Sequence, residues 1–354
     1  ERKMMTASLD RIKSDKNYTV DNVQWVHKDL NKLKTDLSQN YFIRLCKQIS
    51  YYKKIILITG GLGYIGREIS KLYINSPHEI IIIDREFRPE GVAWIVKNNF
   101  KYFERDLFET EDLLKDVDII YHLAGETSVP QTLSQSSPER DSIIYRNGTE
   151  ATQYIIKNIP ENCKIIFPST HVVFESLKKK QLNINENFEP CPYLAYATSK
   201  RQSEIDLIKS TKSYIICRLG TVYGYNEAMR MKILPNFFSM KAALNDEPIN
   251  VFSSGKNLKP LVSIFDTARF LKFIAESNYS REIFNLVSEH KTVREIAGIC
   301  KKYNPKIKIN YTDDEIPNLG YSLSNEKILS TGFKFKQNLD EEIGKMIEFW
   351  GNKI

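Results

Sequence analysis

Cysteine is scarce in this sequence, and the few cysteines present are not spaced as metal ligands or as a disulfide framework. Five occur in 354 residues and no two of them form a CxxC pair: Cys46, Cys163, Cys191, Cys217 and Cys300. This pattern argues against a cysteine-based zinc site and against a small secreted fold held by disulfides. We therefore expect a reducing compartment and no bound metal.

Long apolar runs are also absent. No stretch of about 18 consecutive apolar residues occurs, and no charged-then-apolar leader opens the chain. We therefore expect a soluble, cytoplasmic protein with no membrane partner. Because the chain begins at Glu1 and not at Met, we also expect it to be part of a longer one.

Charge of one sign is not extreme, but it is unevenly distributed. Apolar residues make up 42% and charged residues 27% of the chain, which is ordinary for a globular protein. The length predicts two domains, or one large domain with an appendage. The formal charge is +7, and lysines and arginines crowd the first fifty-odd residues. This basic segment is either a nucleic-acid contact or a solvated helical surface.

From residue 54 onward, short apolar runs alternate with helical stretches. Apolar strands without clean alternation, separated by amphipathic helices, indicate a parallel sheet covered on both faces. The predicted strands are residues 55–59, 80–84, 101–105, 118–123, 164–168 and 214–218. The predicted helices between and after them are residues 66–76, 143–158, 197–210, 229–244, 266–276, 292–302 and 339–353, with a short strand at 249–252.

A glycine-rich turn follows the first of these strands. Gly60, Gly63 and Gly66 stand in the order TGxxGxxG between a strand and a helix. This pattern is typical of a pyrophosphate cradle at a helix N-terminus. Asp84 ends the next strand, where a carboxylate would bind the adenosine ribose and favour NAD. Arg85 beside it keeps NADP open, since a guanidinium can hold a 2′-phosphate.

A second motif pairs a phenol with an ammonium. Tyr196 and Lys200 have YxxxK spacing, which places them on one face of a helix. A tyrosine that acts as a base at neutral pH needs its pKa lowered by about 3 units, and a neighbouring cation contributes to that. Ser169 and Thr170 end the preceding strand, where open parallel sheets bind ligands.

In order and spacing, these motifs make the sequence from about residue 55 resemble the extended short-chain dehydrogenase/reductase family, the nucleotide-sugar epimerases and dehydratases. The resemblance rests on TGGLGYIG, ERDL, YHLAG, RNGT, PST, YATSK, CRLGTVYG and PLVSIFDTAR. It implies a Rossmann-type doubly wound parallel α/β sheet, a smaller C-terminal α/β substrate-binding region and a homodimer. We expect three domains: an α-rich N-terminal appendage over residues 1–53, the Rossmann-type domain over residues 54–225 and a mainly substrate-binding region over residues 226–354. Part of the chain near residues 250–275 is expected to return to the Rossmann-type domain.

The resemblance also implies residue roles. Tyr196 would be the acid/base, Lys200 would bind the nicotinamide ribose and lower the pKa of Tyr196, and Thr170 would assist catalysis. Tyr196 and Lys200 are also expected to contact the cofactor. The other expected cofactor contacts are Gly60, Gly63, Tyr64, Ile65, Gly66, Asp84, Arg85, Asp106, Leu107, Leu123, Ala124, Gly125 and Asn147. The expected contacts with a nucleotide-sugar substrate are Thr127, Ser169, Thr221 and Lys259.

Departures from the family pattern narrow the expected activity. Dehydratases carry Asp-Glu after the catalytic threonine, where this chain has His171 and Val172, so water elimination is not expected. Epimerases typically have an asparagine where Thr221 stands, and Lys259 replaces an arginine. Residues 313–324 contain no arginine, although the family often clamps the nucleotide diphosphate there. Lysine is a looser phosphate ligand than arginine.

The first fifty residues resemble the C-terminal half of an HNH endonuclease module. The resemblance rests on SLDRI, NYT, DNVQWV and NxxK, with Asp10, Arg11, Asn22, Asn31 and Lys34 at the matching positions. In that family a β-hairpin and a helix hold one metal against a phosphodiester. The strand that supplies the leading residues would lie upstream of Glu1, and Asp10-Arg11 stands where a histidine is expected. We therefore expect a catalytically inactive relic or a DNA-contacting appendage.

Three hypotheses follow from the sequence. The favoured one is an NAD-dependent nucleotide-sugar epimerase similar to UDP-glucose 4-epimerase, with a keto-sugar reductase or dehydrogenase of the same family as the alternative. The second is a nucleic-acid enzyme or binder that acts only through residues 1–53. The third is a cofactor-binding regulatory protein without turnover, against which Thr170, Tyr196 and Lys200 argue.

Overall fold

The computed structural model describes residues 7–126, 135–313 and 320–352. The chain separates into two units, Glu1–Lys54 and Ile55–Ile354, each of which is described by itself. The sequence places the first boundary at nearly the same residue. The further division expected at residue 225 lies within the second unit and stays a prediction. None of the helices in the described ranges is both long and apolar enough to cross a bilayer.

The N-terminal unit is an antiparallel hairpin followed by two helices. Its elements are β1 (Ala7–Arg11), β2 (Val23–His27), α1 (Lys28–Lys34) and α2 (Gln39–Tyr52). In the hairpin, Ser8 pairs with Val26 and Asp10 pairs with Gln24. The appendage thus contains a two-stranded sheet as well as helices.

Among the side chains of this unit that the structure describes, the buried ones are polar: Asp10, Asn22 and Lys34. Lys34 and Asp10 are buried and form an ion pair, with 2.7 Å between Nζ and Oδ2. Gln24 donates to the same carboxylate oxygen at 3.0 Å. Asn31 donates to the carbonyl of Leu9 at 2.8 Å. Pairing offsets the cost of burying these charges, and the contacts join the hairpin to α1.

A seven-stranded parallel sheet forms the framework of the second unit. Its strand order is β13-β9-β7-β6-β3-β4-β5. The strands are β3 (Ile55–Thr59), β4 (Glu79–Asp84), β5 (Lys101–Glu104), β6 (Ile119–His122), β7 (Lys164–Thr170), β9 (Ser213–Leu219) and β13 (Glu282–Leu286). The six predicted strands of residues 55–218 are all present, with ends shifted by at most two residues. The predicted doubly wound α/β fold is confirmed.

Both faces of this sheet are buried, which explains why its strands lack polar alternation. On β3, Ile56 and Ile58 belong to one apolar core, whereas Leu57 belongs to the core on the opposite face.

The helices of this unit are α3 (Tyr64–Lys71), α4 (Pro89–Lys97), α5 (Glu111–Leu114), α6 (Pro138–Tyr145), α7 (Ala151–Asn158), α8 (Ala195–Lys209), α9 (Leu234–Leu244), α10 (Ile264–Ala275), α11 (Val293–Tyr303), α12 (Glu326–Ser330) and α13 (Leu339–Gly351).

Three predicted helices differ from the structure. The helix predicted over residues 66–76 begins at Tyr64 and ends at Lys71. The helix predicted over residues 143–158 is divided, because a π-helical turn over Arg146–Glu150 separates α6 from α7. The helix predicted over residues 229–244 begins only at Leu234, with Pro235 in its first turn. Proline is favoured at that place because its missing N–H would have no partner there.

Three small sheets lie outside the main sheet in the described part of this unit, and the C-terminal part of the chain also adds a strand and a helix to the main one. The added strands are β8 (Gln181–Ile184), β10 (Thr221–Tyr223), β11 (Ile249–Val251), β12 (Leu258–Ser263), β14 (Glu289–Thr292), β15 (Ile309–Tyr311) and β16 (Tyr321–Leu323). They form the small sheets β10-β12-β14, β11-β15 and β16-β8. Helix α10 packs into the main core through Phe270, and β13 extends the main sheet beside β9.

Candidate active site

A cleft of about 520 Å³ lies at the carboxyl ends of the main-sheet strands. This is the edge at which open parallel sheets bind ligands. Nearly all the predicted site residues line it: Gly60, Gly63, Tyr64, Ile65, Gly66, Asp84, Arg85, Asp106, Leu107, Leu123, Ala124, Gly125, Asn147, Ser169, Thr170, Tyr196, Lys200, Thr221 and Lys259. The remaining one, Thr127, lies outside the described residues.

The glycine turn holds the backbone of two elements in close approach. Gly60 has a φ of +65°, and a Cβ there would lie 2.9 Å from the amide nitrogen of Ala124. A Cβ at Gly66 would lie 2.6 Å from the Cα of Gly61. Larger residues at either position would push the turn away from β6 or from α3. Helix α3 begins on this turn, so its unpaired N–H groups face the cleft as an anion site.

The backbone fixes the carboxylate of Asp84 at the end of β4. Its Oδ2 accepts from the amide of Leu62 at 3.0 Å, and its Oδ1 accepts from the amide of Glu86 at 3.1 Å. Burial raises the pKa of Asp84, and these two hydrogen bonds act in the opposite direction. The carboxylate is thus held in one orientation beside the glycine turn, as expected for a group that binds a ribose.

Asp106 and Asn147 line the cleft next to each other in space. Asp106 accepts from the amide of Phe108 at 3.1 Å and pairs with Arg146 at 3.3 Å. Asn147 follows Arg146 within the π-helical turn. Such turns are frequent at functional sites because one extra residue reorients the side chains. Here the turn itself carries Asn147, which lines the cleft.

Thr170, Tyr196 and Lys200 all line the cleft, and Thr170 hydrogen-bonds the phenol of Tyr196. Burial raises the pKa of the Tyr196 phenol, whereas the positive charge of Arg230 and a hydrogen bond with Thr170 act to lower it. Lys200 donates from Nζ to the carbonyl of Pro168 at 3.1 Å. Burial lowers the pKa of Lys200 to about 8, and Glu204 opposes that shift. At neutral pH, Lys200 is therefore mostly charged and Tyr196 carries its proton.

Ser169 is directed to a buried ion pair. Its Oγ donates to Glu204 at 2.6 Å. The same carboxylate accepts from Arg218 at 3.1 and 2.9 Å, and both side chains are almost fully buried. Arg201 adds a third cationic contact at 3.1 Å. This network joins β7, β9 and α8 close to Lys200. The hydroxyl of Ser169 is therefore part of this network.

A hydrogen-bonded chain lies on the far side of Thr170. The imidazole of His171 contacts Tyr321 Oη at 2.8 Å through Nδ1 and Thr221 Oγ1 at 3.3 Å through Nε2. Tyr321 also donates to the carbonyl of His171 at 2.8 Å. Because the phenol has one hydrogen, Nδ1 is then the donor to it and Nε2 accepts from Thr221. Burial lowers the pKa of His171 to about 3, so this imidazole is neutral.

Lys259 adds a positive charge beside this chain. It lines the cleft, and no carboxylate pairs with its ammonium among residues 7–126, 135–313 and 320–352. Burial lowers its pKa, since the charged form is poorly solvated there. A buried cation of this kind favours an anionic ligand.

Several residues that line the cleft were not singled out from the sequence. Arg230 lies in the loop before α9, and Arg88 precedes α4. Glu175 accepts from the amides of Tyr193 and Leu194 at 2.9 and 2.6 Å and so positions the start of α8. These three come from connecting loops, and no spacing rule relates them to the motifs.

A family model described as the NAD-dependent epimerase/dehydratase family matches residues 56–286. A trifunctional UDP-glucose 4,6-dehydratase, 3,5-epimerase and reductase of Arabidopsis thaliana is 23% identical over 85% of this chain and 48% of its own length. The chain thus spans about half of that relative. The CDP-paratose 2-epimerase of Salmonella typhi is 27% identical over 64% of this chain and 75% of its own.

Solved structures share the fold. The UDP-glucuronic acid 4-epimerase of Bacillus cereus, solved with UDP-glucuronic acid and NAD, has a TM-score of 0.73 and 21% identity, covering 85% of this chain and 100% of its own. The UDP-N-acetylglucosamine 4-epimerase of Methanobrevibacter ruminantium has a TM-score of 0.72 and 23% identity, covering 85% and 99%.

Proposed function

Because the chain belongs to the NAD-dependent epimerase/dehydratase family, we propose that it is a nucleotide-sugar epimerase that uses NAD. The observation that carries this proposal is that Thr170, Tyr196 and Lys200 line the same cleft as the glycine turn. The residues present suit the cofactor. The turn from Gly60 to Gly66 opens helix α3 toward a pyrophosphate, and Asp84 is held ready for a ribose.

Tyr196 is the proposed acid/base. When bound, NAD would supply the hydride acceptor. After its own proton has passed to solvent, the Tyr196 phenolate takes the proton of the sugar hydroxyl that is oxidised, and Thr170 hydrogen-bonds the same oxygen. Removing a proton from a phenol whose pKa is raised by burial needs positive charge nearby. Arg230 already contributes such charge, and Lys200, which lines the same cleft, is the proposed second cation.

The substrate end supports a nucleotide diphosphate linked to a sugar. Lys259 is the proposed cation for one phosphate, since burial already disfavours its charge without an anion. Thr221 is the proposed contact for a sugar hydroxyl: with its hydrogen directed to His171, its oxygen accepts from the cleft. The neutral His171 stands where dehydratases carry a carboxylate, which supports epimerisation over water elimination.

A keto-sugar reductase or dehydrogenase of the same family is the alternative. In an epimerase the oxidised sugar stays in the cleft and is reduced on its other face, whereas in a reductase it exchanges with solvent. Product analysis separates the two, because an epimerase converts a nucleotide sugar with only catalytic amounts of NAD.

The test is turnover of UDP-, GDP-, CDP- and dTDP-sugars by the full chain and by two tyrosine variants. Tyr196→Phe should abolish turnover and leave NAD affinity nearly unchanged. The control is Tyr193→Phe, since Tyr193 is exposed and lies outside the cleft. Activity that survives in Tyr196→Phe would refute the role of this phenol.

For residues 1–54 we propose a structural relic of a nuclease-like hairpin and helix, without catalysis. The residues that carry that resemblance bind one another: Asp10 is paired with Lys34, and Asn31 holds the hairpin backbone. Arg11 stacks on Tyr18, with 5.2 Å to the ring centroid. Incubation of supercoiled plasmid with Mg²⁺ and the full chain should give no nicked product. Nicking that disappears in Asp10→Asn would overturn this reading.

We also propose a homodimer, as is common in the family. Light scattering coupled to size-exclusion chromatography would detect it, and a monomer across micromolar concentrations would contradict it.

A further inference from the structure

Guanidinium groups are concentrated where strand β4 ends in the cleft. Three arginines line this part: Arg85, Arg88 and Arg105. A guanidinium near the ribose-binding carboxylate is the group that accepts the 2′-phosphate of NADP, and arginine can bind phosphate with two parallel hydrogen bonds. Judged by the number of arginines, this end of the cleft would suit NADP.

Each of these arginines, however, is paired with a carboxylate. The pairs are Arg85–Glu126 at 3.6 Å, Arg88–Glu86 at 2.7 Å and Arg105–Asp112 at 3.0 Å. Of the three carboxylates, that of Glu86 belongs to the residue whose own amide donates to Asp84 at 3.1 Å. Glu86 therefore links the ribose-binding carboxylate to Arg88.

Four residues form a closed ring of hydrogen bonds at this place. Asp84 accepts from the amides of Leu62 and Glu86, Glu86 accepts from Arg88, and Arg88 donates to the carbonyl of Leu62 at 3.3 Å. The hydrogen bond from Arg88 lowers the pKa of Glu86, so that carboxylate is charged at neutral pH. The ring thus contains two carboxylates and one guanidinium, and its net charge is negative.

This charge favours a ribose with a free 2′-hydroxyl. A hydroxyl can donate to Asp84, whereas a 2′-phosphate brings a charge of about −1.5 to −2 toward a negative ring. We infer that Glu86 is a specificity-determining residue of this cleft, which holds Arg88 and excludes 2′-phosphorylated dinucleotides. The inference rests on the proposed function, since it concerns the cofactor of that same site.

The expected effect is moderate, because the Glu86–Arg88 pair is half-exposed and solvent screens it. Two unit charges about 4 Å apart in bulk water interact by about 1 kcal/mol, so removing one charge near a doubly charged phosphate should change affinity by about tenfold at low salt. Glu86→Gln keeps the shape of the side chain, removes its charge and frees Arg88 for the phosphate. The gain should shrink as salt is added, because the groups are exposed.

The experiment measures Kd for NAD and for NADP by isothermal titration calorimetry on the full chain. The variants are Glu86→Gln, the double variant Glu86→Gln/Arg88→Met, and the control Glu90→Gln on the first turn of α4, which is exposed and outside the cleft. Glu86→Gln should lower the ratio of the NADP Kd to the NAD Kd about tenfold. The double variant should lose this gain, and Glu90→Gln should leave the ratio within about twofold.

Two outcomes would overturn the inference, and they differ from a failure of the proposed function. If the wild type binds NAD and Glu86→Gln shifts the ratio no more than Glu90→Gln, Glu86 does not determine specificity. If the double variant keeps the gain, Arg88 is not the phosphate ligand. A wild type that binds neither dinucleotide would instead refute the proposed function itself.

Discussion

Gly148 is the position where the packing of the active-site helix allows no side chain. It lies in the π-helical turn between α6 and α7, and a Cβ there would lie 2.3 Å from Oγ of Ser199. Ser199 is buried on α8, next to Lys200, and its Oγ is 3.0 Å from the hydroxyl of Thr149. Gly148→Ala therefore forces Oγ of Ser199 out of this contact or moves α8 or the turn.

The magnitude follows from overpacking in a buried contact. One added methyl group without free volume costs about 1–3 kcal/mol. The better helix propensity of alanine returns up to about 1 kcal/mol, so the net loss should be about 1–2 kcal/mol. For a unit of this size, each kcal/mol lowers Tm by about 2 °C. We expect a fall of about 2–4 °C and a weaker affinity for NAD, because α8 carries Tyr196 and Lys200.

A double-mutant cycle read by thermal unfolding separates this cause from others. Ser199→Ala removes the clashing atom, and the remaining Cβ lies at an ordinary 3.5 Å from the added methyl group. In that background Gly148→Ala should cost nothing. The control is Gly298→Ala on α11, where no atom lies within 4 Å of the added Cβ, and it should be neutral or stabilising. An equal loss of Tm with and without Ser199→Ala would refute the packing argument.

Three further predictions concern charge and domain structure. Lys200→Met should raise Tm relative to the wild type most strongly near pH 7. The ammonium proton of Lys200 is bound more tightly in the unfolded chain, so the stability of the wild type rises with pH from about 8 to 10.5. The difference in Tm between Lys200→Met and the wild type should therefore disappear over that pH range. Glu204→Gln leaves Arg218 buried without its charge partner and should cost about 3–5 kcal/mol, seen as a Tm lower by about 6–10 °C. Deletion of residues 1–53 should leave a folded protein that binds NAD with unchanged Kd in calorimetry; an insoluble product would contradict this.

The strands and the glycine turn could be predicted because their signals are local. A run of β-branched residues such as 80–83 predicts a strand in a sheet that is covered on both faces. The turn at Gly60 needs a left-handed φ, which glycine adopts readily. The start of α9 could also have been predicted, since Pro235 is favoured in a first helical turn. The prediction over residues 229–244 followed apolar periodicity and missed that signal.

The division of the helix over residues 143–158 could not be predicted in the same way. The π-helical turn makes contacts that are distant in sequence: Gly148 lies against Ser199, and Thr149 donates to the carbonyl of Ser199 at 3.2 Å. Apolar periodicity is nearly the same on both sides of a one-residue insertion. The cationic residues Arg88 and Arg230 were missed for a related reason. They lie in loops, and only the folded chain brings them to the cleft.

Native mass spectrometry of the full chain, as purified and after addition of NAD, would show whether the cleft binds a dinucleotide. We expect one dinucleotide per chain, retained in Tyr196→Phe and lost in Gly60→Val, where the added side chain would meet the backbone of Ala124. Retention without added NAD would favour the epimerase over the reductase. A wild-type chain that shows no bound dinucleotide even at millimolar NAD or NADP would contradict the assignment of the cleft.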